Sequence, residues 1–201
     1  MYENVTGVIL AGGNNSRYQG RNKAFLALDG ITILDRIQSV FETLFPKIIL
    51  VTNDPLAYKD KDFLIVSDIY PMRSALTGLH AGLFYTETEY AFFTACDTPF
   101  LNPAVLRLIL DKADGSSDVI VPDTKEGMQP LFSAYSIRCL KPIEHRLEKS
   151  VFNIRSFFKS VKVRTVSEKA LRAVDPDLSS FFNINSPEDF KNAEEILALK
   201  Y

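Results

Sequence analysis

The sequence is poor in the residues that most often carry covalent catalysis or hold metals. Its 201 residues include two cysteines and two histidines. Cys96 and Cys139 lie far apart and in no metal-ligand spacing, and two cysteines make no disulfide framework. His80 and His145 stand near no Ser or Cys in a nucleophile motif, which leaves triad chemistry unsupported. Positive charge is not in excess either: 23 Lys and Arg face 25 Asp and Glu, for a formal net charge of −2. Nucleic-acid-binding domains show a clear basic excess, so no nucleic-acid partner is expected. A local basic pocket for a small phosphate ligand remains compatible with that balance. No apolar run approaches about 18 residues, so no membrane-spanning helix is expected. The first residues, MYENVTGVILAGG, lack the basic start and long apolar core of a signal peptide. The expectation is a cytoplasmic, reduced protein with no membrane partner.

What is present is an ordinary globular composition, 46% hydrophobic and 24% charged, at a length that suits one domain over residues 1–201. Short apolar, β-branched runs alternate with longer amphipathic ones. Residues 6–10, 47–52, 63–66, 90–94, 119–121, 129–136, 161–166 and 181–185 read as strands. Residues 32–44 carry Ile33, Leu34, Ile37, Val40, Phe41 and Leu44 at helical spacing, with Thr32 as N-cap and Asp35 three residues on. Further helices are expected over 74–86, 103–112, 141–149, 153–159 and 187–199. Asn102 and Pro103 mark the start of the third, and Ser186 with Glu188 and Asp189 the start of the last. The β-α-β-α order implies an α/β fold, a mostly parallel sheet with helices on both faces. In such sheets ligands sit beyond the carboxyl ends of the strands, and the polar clusters here follow strands.

Three clusters could carry chemistry. The first is AGGNNSRYQGRNK, after the first strand. Glycines let backbone amides approach an anion, and Arg and Lys neutralise phosphate oxygens. Neither G-x-x-x-x-G-K-[ST] nor G-x-G-x-x-G is present, so a phosphate cradle and a surface loop with scattered cations both fit. The second is CDTPFL. A lone Asp closing a strand is commonly a cap or turn residue, but Asp97 ends a strand read as central, on the rim where Lys23 would also lie. A carboxylate there suits Mg²⁺, which takes oxygen ligands and keeps several waters. Asp68 is a weaker case of the same logic, and Cys96 reads as a small buried hydrophobe. The third is FFNINSPEDF, where Asn183 and Asn185 alternate and so share one face of an extended segment. They could grip a polar heterocycle. Spacing alone favours the plainer role of loop hydrogen bonds before the last helix.

Taken together, LAGGNNSRYQGRNKAFLALDG resembles the signature L-A-G-G-x-x-x-R-M-G-x-x-K of the MobA family, the molybdenum cofactor guanylyltransferases. CDTPFL, QPLFSAY and NINSPEDF are similar to three later signatures of that family, in the same order. The resemblance implies a Rossmann-like three-layer α/β/α fold of the nucleotide-diphospho-sugar transferase type. It implies transfer of GMP from GTP to the terminal phosphate of molybdenum cofactor (molybdopterin), with Mg²⁺. Leu10, Ala11, Gly12 and Gly13 would contact the guanine nucleotide through their backbone. Arg17 and Lys23 would hold the triphosphate, and Asn53 and Asp68 would line the nucleoside pocket. Asp97 would bind Mg²⁺ and the nucleotide, and with Arg17 and Lys23 would form the catalytic set. Asn183 and Asn185 would face the molybdopterin side. Cofactor hand-over implies transient contacts with other proteins. The L-A-G-G form favours GTP, since cytidylyl enzymes resemble L-A-A-G. A cytidylyltransferase, a sugar-phosphate nucleotidyltransferase and a non-catalytic nucleotide-binding module are the alternatives. This chain departs from the pattern at Tyr18 and Gln19, and in the turn YPMRSALTG, which keeps Gly78 but lacks an earlier Gly-Pro pair and adds Arg73.

Overall fold

A computed structural model describes residues 1–12 and 22–200. Gly13 and Arg17 of the expected site, with Tyr18 and Gln19, lie outside the described residues. In chain order come β1 (Val5–Leu10), the short strands β2 (Ala27–Leu28) and β3 (Ile31–Thr32), α1 (Ile33–Leu44), β4 (Ile48–Val51), β5 (Leu64–Val66) and α2 (Ala75–Phe84). There follow β6 (Tyr90–Ala95), α3 (Pro103–Leu110), β7 (Val119–Thr124), β8 (Gly127–Met128), β9 (Ser133–Ser136) and α4 (Leu140–Glu148). The chain closes with β10 (Val163–Ser167), α5 (Glu168–Arg172) and α6 (Pro187–Lys200).

The main sheet runs β10-β7-β9-β6-β1-β4-β5, with β8 beside β7. β6, β1, β4 and β5 are mutually parallel, as are β10 and β7. β9 joins the two blocks and is antiparallel to both β6 and β7. Because side chains alternate along a strand, each strand feeds two cores. Leu50 packs with α1, α3 and α6 on one face, while Ile49 and Val51 pack with α2 and α4 on the other. The expected three-layer α/β/α arrangement results. Helices start where the cap chemistry says. The Thr32 hydroxyl accepts from the Asp35 N–H at 3.1 Å, and the Asn102 side chain accepts from the Ala104 N–H at 2.9 Å. Close packing also explains Gly7: a Cβ there would sit 2.6 Å from ring carbons of both Phe41 and Phe45. The bare backbone lets α1 lie directly on β1.

Several local expectations are corrected. Residues 129–132 are not strand, and β9 begins at Ser133. Residues 153–159 form a 3-10 helix, Ile154–Ser160, rather than an α-helix. No strand forms over 181–185; Ser179–Phe181 is a 3-10 turn, and the segment after it makes no ladder. The β2–β3 hairpin and α5 are additional. The hairpin turns at Asp29 and Gly30, with φ of 53° and 73°, a two-residue turn that Asp-Gly favours because both positions need positive φ.

Candidate functional site

Adjacent strands place their carboxyl ends in a row. Ala11 and Gly12 follow β1, Asn53 follows β4, Asp68 follows β5 and Asp97 follows β6. Between these ends and the start of α2 lies a cleft of about 350 Å³. Leu10, Ala11, Gly12, Lys23, Asp68 and Asp97, all named from the sequence, line it together with Val51, Arg73, Ser74, Ala75, Gly78, Ala95, Cys96 and Leu131. Its floor is largely apolar and its ends are polar, as ligand sites commonly are.

One end is assembled from three distant segments. Asn22 anchors the turn Lys23–Phe25: its side-chain oxygen accepts from the Ala24 N–H at 3.1 Å, and its Nδ2 donates to the Tyr58 hydroxyl at 2.7 Å. Lys23 leaves this turn, and its Nζ donates to Asn185 Oδ1 at 2.9 Å and lies 3.5 Å from Asp97 Oδ2. The pair is largely sheltered, with side chains 13% and 21% exposed. Asn185 is held in turn by α6. The Asn185 and Ser186 N–H groups donate to Asp189 Oδ2 at 2.9 and 2.8 Å, and the Ser186 hydroxyl accepts from the Asp189 N–H at 3.2 Å. Residues 183–185 reach Asp97 without forming a strand. The Ile184 N–H donates to the Asp97 carbonyl at 2.9 Å, and the Thr98 hydroxyl donates to Asn183 Oδ1 at 2.9 Å. Both asparagines thus serve the loop-bonding role that spacing favoured, and both do so beside Asp97.

Burial pushes the Asp97 carboxyl above the usual carboxylate range, and the nearby Lys23 ammonium only partly opposes it. Burial and the Asp97 charge push the Cys96 thiol up to about 12. Cys96 therefore stays protonated at neutral pH and is no nucleophile. Among the described residues no three acidic, His or Cys side chains gather to hold a metal by themselves. Asp97 alone fits the magnesium mode in which one carboxylate shares the ion with substrate phosphates and water.

The other end is knit more tightly. Asp68 Oδ2 accepts from Asn53 Nδ2 at 2.8 Å and from the Thr77 hydroxyl at 3.4 Å. Thr77 and Ser74 form a reciprocal capping box at the start of α2. Asn53 itself does not line the cleft; it orients Asp68. At the floor, the Ala11 N–H donates to the Val51 carbonyl at 2.8 Å, and the Leu10 carbonyl accepts from the Cys96 N–H at 3.0 Å. These groups are committed to the sheet, whereas the Ala11 carbonyl takes a 3.4 Å bond from the Thr52 hydroxyl. Beyond Asn183 opens a second cleft of about 830 Å³, bordered by Lys125, Gln129, Arg172, Phe181 and Phe182. The sequence reading missed Thr98, which orients Asn183; its only signal was its place in CDTPFL.

The chain is similar to known proteins over most of its length. The family described as "MobA-like NTP transferase domain" matches residues 7–166. A molybdenum cofactor guanylyltransferase of Desulfosudis oleivorans is 46% identical over 94% of each chain. A probable molybdenum cofactor guanylyltransferase of Natranaerobius thermophilus is 34% identical over 98% of each. In fold, the crystal structure of molybdopterin-guanine dinucleotide biosynthesis protein A from Archaeoglobus fulgidus superposes with a TM-score of 0.84 at 24% identity, covering 96% of this chain and 98% of that one. The resemblance carried by the four motifs is borne out, and the chain belongs to the MobA-like NTP transferase family.

Proposed function

We propose that this protein transfers GMP from GTP to the terminal phosphate of molybdenum cofactor, releasing pyrophosphate and forming molybdopterin guanine dinucleotide. An oxygen of the acceptor phosphate attacks the α-phosphorus of GTP. A new P–O–P bond forms, the bond between the α-phosphorus and its bridging oxygen breaks, and that oxygen leaves with pyrophosphate. The attacking oxygen is already ionised, so no Ser, Cys or His need be activated. What remains for the protein is alignment and neutralisation of charge.

Lys23 is the group to meet the departing pyrophosphate, with Arg17 of the same family signature as its partner. Asn185 holds the Lys23 ammonium, leaving its other donors for phosphate oxygens. Asp97 would hold Mg²⁺, which when bound supplies positive charge to phosphate oxygens. The Leu10–Gly13 stretch, Asn53 and Asp68 serve the nucleoside, and Gly13 in the L-A-G-G form favours guanine. The second cleft beside Asn183 is where we place the acceptor, one short segment away from Lys23. On this reading residues 1–201 act as one catalytic domain in the cytoplasm.

The observation that carries the proposal is the sheltered Lys23–Asp97 pair, 3.5 Å apart at the end of the cleft. A pure nucleotide binder has less need of both groups. Pyrophosphate release from purified protein, Mg²⁺ and molybdenum cofactor, measured with each nucleotide, is the test. Release with GTP well above that with CTP is expected. Equal release with CTP, or release that needs a sugar phosphate instead, would replace the assignment. Stabilisation by GTP without any product would make the protein a binding module.

A further inference from the structure

The turn between Asp68 and α2 departs from the family signature: it reads YPMRSALTG and carries Arg73. We propose that Arg73 is a specificity-determining residue that reads the nucleotide base, its guanidinium donating two hydrogen bonds to O6 and N7 of guanine. This rests on the nucleotide reading of the cleft given above.

Arg73 lines the cleft and is exposed. Among the described residues its side chain makes no hydrogen bond or ion pair. Lys23, Asp68 and Ser74, by contrast, are each engaged with protein partners. An arginine cannot shed its charge, and its planar fork is built to meet two acceptors at once. Its position argues for the base rather than the phosphates. Arg73 precedes Ser74, whose cap partner Thr77 bonds Asp68 beyond β5, and Asp97 lies beyond β6, with β1 and β4 between those two strands. Three strand spacings amount to roughly 14 Å. A triphosphate held at Lys23 and Asp97 therefore leaves its base toward the Arg73 end, where Leu10, Val51 and Ala75 offer apolar walls for a planar ring. Guanine presents O6 and N7 as adjacent acceptors on one edge. Adenine replaces O6 with an amino donor, and cytosine offers an amino donor on the matching edge. An arginine fork at this place favours GTP over both.

The test is nucleotide binding with Mg²⁺ present, using GTP, 7-deaza-GTP and ATP against wild type, Arg73→Ala and Arg73→Lys. 7-Deaza-GTP lacks the N7 acceptor and keeps the phosphates unchanged. Wild type should bind GTP about tenfold to a hundredfold more tightly than ATP, the usual worth of a bidentate pair, and should bind 7-deaza-GTP measurably less tightly than GTP. The 7-deaza gap should close in Arg73→Ala and shrink in Arg73→Lys, which keeps the charge and loses the fork, and the GTP–ATP gap should narrow in both. Melting temperature should hold, because among the described residues Arg73 has no hydrogen-bond or ion-pair partner to lose. A 7-deaza gap that is absent in wild type or persists in Arg73→Ala overturns the inference. So does an equal loss of affinity for GTP and 7-deaza-GTP, which would assign Arg73 to the phosphates. Wild type that binds no nucleotide would instead defeat the nucleotide reading, a result distinct from normal GTP selectivity retained by Arg73→Ala.

Discussion

Asp97 and Asp68 each stand two residues beyond a parallel strand, on one rim of one sheet, yet their surroundings differ. Asp68 accepts hydrogen bonds from Asn53 and Thr77 and is tied into the cap of α2. Asp97 is sheltered beside one cation, 3.5 Å from its Oδ2, and its carboxyl is pushed above the usual range. The fold therefore supplies hydrogen-bond donors to Asp68 and works against the charge on Asp97. A carboxylate held at such a cost is one whose partner comes with the ligand. A folded value above the unfolded one means that the contribution of Asp97 to stability is present below the ordinary carboxylate range. It is lost as pH rises through the raised value.

The largest effect should follow Asp97→Asn. Pyrophosphate release should fall about a hundredfold or more, the scale for removing an electrostatic contact to a reacting group, while the melting temperature at neutral pH holds or rises. A melting temperature that drops would break the contrast between the two carboxylates. Next comes Lys23→Met. Turnover should fall about a hundredfold, and the acid limb of the pH–kcat/KM profile should move further upward. Lys23 is the cation that opposes the rise at Asp97, so an acid limb that stays in place would show that Asp97 does not set it. Asp68→Ala should cost about 1–3 kcal/mol in urea unfolding, because Asn53 and Thr77 lose their acceptor, and should raise KM for GTP more than it lowers kcat. The smallest effect is expected for Asn185→Ala. Lys23 keeps Asp97 but loses its 2.9 Å partner, and kcat/KM should fall by about 0.5–1.5 kcal/mol of transition-state stabilisation.

The sheet order itself was not legible in the sequence, but its consequences were. Apolar runs closed by polar clusters marked β1, β4, β5 and β6, and capping residues at Thr32, Asn102 and Ser186 fixed where three helices start, while the cap at Ser74 emerged only from the structure. Asp68 and Asp97 were placed at strand ends from the pattern, Asn53 came only with the family resemblance, and the strand order is what sets them in a row. Residues 181–185 misled because Asn183 and Asn185 do alternate. Alternation belongs to any extended segment, and this one docks on Asp97 and Thr98 through a backbone bond and a side-chain bond instead of a ladder. Helix α5 was missed because it has five residues and buries only Leu171, too few positions to set a period. The β2–β3 hairpin was readable in Asp29-Gly30. The contact between Lys23 and Asn185 joins positions 162 residues apart, and no local pattern could have announced it.

Following the α-phosphate of GTP tests the central claim most directly. Purified protein is given GTP labelled at that atom, Mg²⁺ and molybdenum cofactor. The label should appear in a pterin guanine dinucleotide, mole for mole with pyrophosphate, and Asp97→Asn should form almost none. Label that remains in GTP or is released as free GMP, or a dinucleotide formed by Asp97→Asn at the wild-type rate, would contradict it.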